Sequence, residues 1–146
     1  MKSRGAYDVA IVGGGPVGAS LCLALAPLGL RIALIEAASP ETRARPGYDE
    51  RATALSATSQ RILDTLGVWT SLADPTPIKA IHVSEQGSFG ATRLDHREHD
   101  LDALGYVVAN GDLTQALWRA LETASGVEIL CPASIRAAAP CAQGVA

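Results

Sequence analysis

The stretch Asp8–Glu36 limits what this chain can fold into more than any other. Asp8-Val9-Ala10-Ile11-Val12 is a short apolar, β-branched run, the pattern of a strand buried on both faces of a parallel sheet. Gly13-Gly14-Gly15-Pro16-Val17-Gly18 follows at once, and a helix is predicted from about Pro16 to Leu25. Pro16 suits the first helical position, where its missing N–H would have no partner in any case. Val17, Leu21, Leu25 and Leu28 are spaced for one buried face, and Gly29 is placed to end the helix in a left-handed turn. Arg31-Ile32-Ala33-Leu34-Ile35 reads as a second buried strand, with Glu36 at its carboxyl end.

Each part of this strand–turn–helix–strand unit has a task in binding a dinucleotide. Gly13 permits the tight turn, Gly15 lets the backbone approach a pyrophosphate, and Gly18 lets the helix pack close to the strand. The free N–H groups and positive dipole end of the helix receive phosphate charge. Glu36 lies eighteen residues after Gly18, where a carboxylate accepts hydrogen bonds from both ribose hydroxyls and repels a 2′-phosphate. By itself the fingerprint leaves NAD and FAD open. Residues 9 to 35 are nearly uncharged and follow Lys2 and Arg4, as in a signal peptide or a membrane span. Three consecutive glycines, Pro16 and Pro27 spoil a spanning helix, and Arg31 sits inside the run.

With 146 residues the chain is long enough for one domain with a real core, and 48% hydrophobic residues with few aromatics suit an α/β protein. A net charge of −3 gives no electrostatic footprint for nucleic acid. Cys22, Cys131 and Cys141 have no CxxC spacing, which argues for a reducing compartment, the cytoplasm by default, and against a disulfide framework.

Residues 37–50 read as a long exposed loop leading into Asp49-Glu50-Arg51-Ala52-Thr53-Ala54-Leu55-Ser56. A helix is expected from about Thr58, with Ile62, Leu63 and Leu66 inward and Gly67 closing it; Trp69 and Leu72 cover that end. Ile78–Ser84 alternates in part like a half-buried strand, Glu85–Ser88 is a turn, and Phe89–Leu94 returns as its hairpin partner. His96 and His99 lie in a charge-dense loop, read as solvated and not as a metal site. Gly105–Ala109 is a strand; Asp112 can cap the next helix, which carries Leu113, Leu117, Trp118 and Leu121 and stops at Gly126. Val127–Cys131 is a further core strand, Ser134–Ala138 the start of another, and Pro140–Gly144 a turn. The chain stops where a returning strand is due, which would leave an exposed sheet edge.

Residues 7–36, Asp49-Glu50-Arg51-Ala52-Thr53-Ala54-Leu55-Ser56, Leu66-Gly67-Val68-Trp69, Ile81-His82-Val83-Ser84 and Leu104-Gly105-Tyr106-Val107-Val108 together resemble the ubiquinone-biosynthesis hydroxylases. These are FAD-dependent aromatic monooxygenases of the para-hydroxybenzoate hydroxylase type. The resemblance runs from residue 6 to about 136 and implies a Rossmann-like FAD-binding βαβ domain with a parallel sheet, plus the first strands of a β-sheet substrate domain. Residues 1–74 and 105–146 would belong to the former and 75–104 to the latter. It matches Gly13, Gly14, Gly15, Pro16, Val17 and Gly18 to the pyrophosphate turn and Glu36 to the adenosine ribose. It matches Arg51, with Ala52 behind it, to the ribityl–pyrophosphate region, where a planar guanidinium can bond two phosphate oxygens. An exposed arginine paired with Asp49 or Glu50 is the alternative. Asn110 falls where the family places a residue facing the cofactor, and an N-cap role explains it equally well.

The implied reaction is hydroxylation of a prenylated phenol, with NAD(P)H as electron donor, FAD as cofactor and O₂ as oxidant. The implied setting is the cytoplasm, with room for peripheral attachment to the inner membrane or to a biosynthetic complex. No catalytic residue is nominated, because the flavin carries such chemistry and the protein orients the ring and excludes water. Family members are more than twice as long, and their Asp-Gly and Gly-Asp flavin motifs would lie beyond Ala146. The chain is therefore expected to be an N-terminal portion, inactive alone. An NAD-binding half of a dehydrogenase and a non-catalytic nucleotide-binding module are the rival readings.

Overall fold

The computed structural model describes residues 6–43, 45, 49–87, 89–141 and 144–145. Expectations that rest on Lys2, Arg4, Pro46, Gly47, Tyr48, Ser88 and the middle of the turn at 142–143 lie outside the described residues. In chain order the strands are β1 (Val9–Val12), β2 (Ile32–Ile35), β3 (Ala52–Ser56), β4 (Thr76–Ile78), β5 (Ala80–Ser84), β6 (Ala91–Asp95), β7 (Gly105–Ala109), β8 (Val127–Leu130), β9 (Pro140–Cys141) and β10 (Gly144–Val145). The α-helices are α1 (Pro16–Leu25), α2 (Pro40–Arg43), α3 (Ala57–Thr65) and α4 (Asn110–Glu122). The chain divides into two compact units, Met1–Tyr48 with Leu117–Ala146, and Asp49–Ala116. Helix α4 begins in the second and ends in the first.

The first unit holds a parallel sheet of order β1-β2-β8, with Val9 opposite Ile32 and Ile32 opposite Val127. Parallel neighbours joined through a helix make the expected βαβ unit. The middle strand is the buried one: Ile32, Ala33 and Leu34 are all within the core. In β1 only Ile11 is buried and Val12 is 63% exposed, so the expectation of a strand covered on both faces holds for β2 and fails for β1. Flanking strands of a sheet are covered less than the central one.

Helix α1 packs on β1 and β2, but not through the face its large residues suggest. Ala19 and Cys22 are fully buried, while Val17, Leu21 and Leu28 are exposed. The reason is distance. A helix that presents glycine, alanine and cysteine to the sheet can approach more closely than one that presents leucine. Burial raises the pKa of the Cys22 thiol, as expected for a cysteine acting as a small apolar residue. A 3₁₀ turn at Ala26–Leu28 extends the helix, and Gly29 (φ 71°) ends it in the left-handed conformation.

The second unit contains an antiparallel sheet of order β3-β7-β4 and the hairpin β5–β6. Strand β3 carried no strand signal, because Ala-Thr-Ala-Leu-Ser is short of β-branched and aromatic residues. Pairing supplies what propensity lacks: all five residues are in register with β7, from Ala52 opposite Ala109 to Ser56 opposite Gly105. Ser56 then caps α3, accepting from the Ser59 amide at 3.1 Å. Leu63 and Val68 are buried, whereas Ile62, expected inward, is 52% exposed. Trp69 meets the ring of Tyr106 edge-on, with centroids 4.9 Å apart.

The hairpin has the expected partners, Ile81 opposite Leu94, although every residue of β5 is exposed. His96–His99 forms a 3₁₀ turn and not an irregular loop, capped by Asp95, whose carboxylate also takes a bidentate pair from Arg97 at 2.8 and 2.9 Å. That guanidinium holds the Asp95 carboxyl well below the ordinary range. No strand forms over residues 134–138; the chain there pairs β9 with β10 instead. Among the described residues no helix is long and apolar enough to cross a membrane.

At Gly105 a side chain would fall on the Leu55 carbonyl oxygen across the β3–β7 pair. Gly105→Ala is therefore expected to cost about 1–3 kcal/mol of stability. Urea unfolding together with amide hydrogen exchange at Leu55 and Val107 would register the loss.

Candidate functional site: the glycine turn and its surroundings

The first unit brings the turn and the acid together. Gly13 has φ 96°, which L side chains rarely adopt, and its amide donates to the Ile35 carbonyl at 2.8 Å. Gly15 is the N-cap residue of α1, and its carbonyl accepts from the Ala19 amide at 2.9 Å. No heavy atom lies within 4 Å of the position a Gly15 Cβ would take. At Gly18 the reverse holds: a Cβ would fall on the Gly13 carbonyl oxygen, so only glycine allows this crossing of helix and turn. The mouth of α1, where Pro16 and Val17 are the first residues, has no side-chain cap and no acidic residue in its first turn. Donors at such a helix end are a ready anion site.

Glu36 leaves the end of β2 and turns back on the glycines. Its Oε2 accepts from the Gly14 amide at 2.6 Å and its Oε1 from the Ala38 amide at 2.6 Å. Its own amide donates to the Leu130 carbonyl at 3.0 Å, and its carbonyl accepts from Ala133 at 2.8 Å. The Cys131 thiol donates to the Ala38 carbonyl at 3.1 Å. The carboxyl ends of β1, β2 and β8 are thus stitched through one residue, where open α/β sheets bind ligands.

Two participants were not picked out as site residues from the sequence. Trp118 of α4 read as one more apolar-face residue, yet its Nε1–H donates to the Gly14 carbonyl at 2.8 Å. Arg43 of α2 fell in the long loop, yet its guanidinium lies 3.4 Å over the Trp118 ring. The available signal was a tryptophan, whose indole N–H seeks an acceptor when covered, on an otherwise aliphatic helix face.

The second unit holds the other expected residues in a separate group. Arg51 is paired with Asp49 through two hydrogen bonds, Nε to Oδ1 at 2.8 Å and an Nη to Oδ2 at 2.9 Å, with the arginine side chain 80% exposed. The pairing named above as the alternative is thus present, and an exposed arginine of this kind can exchange partners. Ala52 is exposed and opens β3. Asn110 is 9% exposed and is the first residue of α4. Its amide N–H donates to the Arg51 carbonyl at 2.9 Å, its Oδ1 accepts from Thr53 Oγ1 at 2.5 Å and its Nδ2 donates to Asp49 Oδ2 at 3.3 Å. Asn110 therefore ties β3 and the Asp49 loop to the start of the helix. The Arg51 guanidinium, with help from Asn110, pulls the Asp49 pKa from its ordinary 3.8 down to about 2. Among the described residues no group of three or more His, Cys, Asp or Glu side chains converges to hold a metal ion.

A parallel βαβ unit with an open glycine turn, an uncapped helix mouth and an acid at the end of the second strand defines a dinucleotide-binding domain. Residues 6–139 match the model of the FAD binding domain, and the chain belongs to that family, whose cofactor is FAD. It is 37% identical over 132 residues to the ubiquinone hydroxylase UbiL of Rhodospirillum rubrum, covering 89% of this chain and 30% of that protein. It is 38% identical over 131 residues to the 3-demethoxyubiquinol 3-hydroxylase of Escherichia coli, covering 88% and 33%. Among solved structures, the anhydrotetracycline hydroxylase OxyS of Streptomyces rimosus superposes with a TM-score of 0.70 at 26% identity, covering 95% of this chain and 27% of the other. The chain thus spans about a third of the length of these relatives.

Gly18→Ala is expected to push α1 off the turn, costing about 1–3 kcal/mol of stability in urea unfolding. For Asp49 the sign follows from its lowered pKa: the pairing stabilises above about pH 4 and is lost as the pH falls toward 2. The difference in melting temperature between the wild type and Asp49→Asn should accordingly be present at neutral pH and close between pH 4 and 2.

Proposed function

We propose that this chain is the FAD-binding portion of a flavin-dependent monooxygenase that hydroxylates a prenylated phenol in ubiquinone biosynthesis, with NAD(P)H as electron donor. The observation that carries the cofactor reading is the turn: an uncapped helix mouth, with no acidic residue in the helix's own first turn, beside a glycine with open space where a Cβ would be. These features fit a diphosphate, which needs close backbone approach and unopposed N–H donors. Names of relatives, ubiquinone hydroxylase and 3-demethoxyubiquinol 3-hydroxylase, support the substrate class.

In this reading Gly13, Gly14, Gly15, Pro16, Val17 and Gly18 form the diphosphate cradle. Glu36, whose oxygens each retain accepting capacity beyond the amide they now hold, takes the adenosine ribose hydroxyls. Arg51 offers its exposed guanidinium to phosphate oxygen, with Ala52 adjacent and Asn110 fixing the strand that carries them. The strands within residues 75–104 begin the substrate-binding sheet. Bound FAD would supply the redox chemistry, so that one oxygen atom of O₂ enters the ring, the other leaves as water and NAD(P)H provides two electrons. This chain's own residues bind and orient. We place the whole protein in the cytoplasm, at the inner-membrane surface where a prenylated substrate resides.

Titration of the chain with FAD, followed by flavin fluorescence, should show saturable binding that ADP displaces and NAD displaces less well. Glu36→Ala should weaken FAD binding about tenfold or more, the scale of hydrogen bonds to a charged acceptor. Tighter binding of NAD than of FAD, or failure of ADP to compete, would overturn the reading.

A further inference from the structure

Gly14 occupies a position that the G-x-G-x-x-G pattern leaves unrestricted, and the structure gives it two specific partners. Its N–H is taken by Glu36 at 2.6 Å and its C=O by the Trp118 indole at 2.8 Å. A Cβ at Gly14 would stand 2.5 Å from Trp118 Cζ2 and 3.1 Å from Glu36 Oε2, so the two side chains close on the bare Cα. The indole is itself backed. Arg43 stacks on its ring, and the buried Arg43 Nε has no hydrogen-bond partner, so stacking is what that group contributes here.

We propose that Trp118 is a positioning residue for the diphosphate of the bound dinucleotide, acting through the Gly14–Gly15 peptide; this rests on the FAD reading above. A trans peptide is planar, with its C=O and N–H pointing in opposite directions. Fixing the Gly14 carbonyl toward Trp118 therefore turns the Gly15 N–H the other way. Together with Glu36, which anchors the preceding amide, Trp118 leaves this peptide little freedom to rotate. The Gly15 donor is then aligned before any phosphate arrives, and binding does not have to supply that ordering. The inference also explains why glycine stands at position 14: any side chain there would strike the indole.

The test separates the diphosphate from the rest of the nucleotide. Isothermal titration compares ADP with adenosine on the wild type, on Trp118→Phe, which keeps a stacking ring but loses the donor, and on Trp118→Leu. The wild type should bind ADP more tightly than adenosine. Trp118→Phe should lose about five- to tenfold in ADP affinity, one net hydrogen bond, and leave adenosine affinity unchanged. Equal loss for both ligands, or no loss for either, would overturn the assignment. A wild type that binds ADP no better than adenosine would instead overturn the nucleotide reading itself, and the assignment with it. Should the variants not fold, NMR on the wild type decides. ADP but not adenosine should shift the Gly15 amide proton, and the Trp118 indole proton should exchange slowly with solvent; fast exchange or an unmoved Gly15 amide would overturn the proposal.

Discussion

The Glu36 carboxylate is the constraint on which the first unit depends. It sits where β2 ends, and its two oxygens close hydrogen bonds in opposite directions along the chain, back to Gly14 and forward to Ala38. Its backbone meanwhile joins the last residue of β8, Leu130, and the segment beyond it at Ala133. A carboxylate accepting backbone N–H donors makes stronger bonds than a neutral acceptor. One side chain thus relates the glycine turn, the loop after β2 and the exit of β8. In the function proposed above the same group would take the ribose, so that anchoring and recognition would share an atom set.

Close approach follows from this arrangement. Helix α1 meets the sheet through Ala19 and Cys22, and Gly18 passes the Gly13 carbonyl with no room for a Cβ. Such a crossing trades side-chain burial for proximity: Val17 and Leu21 remain outside, and the helix mouth stays beside the turn. Small residues that look like weak core formers in the sequence are the means by which the amides at the helix mouth are brought beside the turn.

The βαβ unit was legible because its signals are local. A β-branched run, a glycine turn, Pro16 at the first helical position and an acid at a set distance each act within a few residues. The hairpin of β5 and β6 was legible for the same reason. The misreadings come from long-range effects. Strand β3 exists because β7 pairs with it, not because Ala-Thr-Ala-Leu-Ser favours a strand. The buried face of α1 was misjudged because residue size was read as burial, when the packing distance was set by glycine. Trp118 meets Gly14, and Arg43 meets Trp118, across long stretches of chain, and no spacing rule reaches that far. The pairing of Arg51 with Asp49 was legible from proximity, yet only the fold shows Asn110 joining them.

The Arg51–Asp49 pair is open to solvent on the cation's side and covered on the anion's, 80% against 16%. A guanidinium already satisfied by a carboxylate does not capture a phosphate; it swaps one oxyanion for another. Such an exchange gains little in net attraction, because a bond of similar kind is surrendered, but it discriminates sharply by shape. A tetrahedral group must match the planar fork as well as the flat carboxylate does before it displaces it. If Arg51 meets a phosphate as proposed above, the pair would reward a correctly placed ligand over a merely charged one.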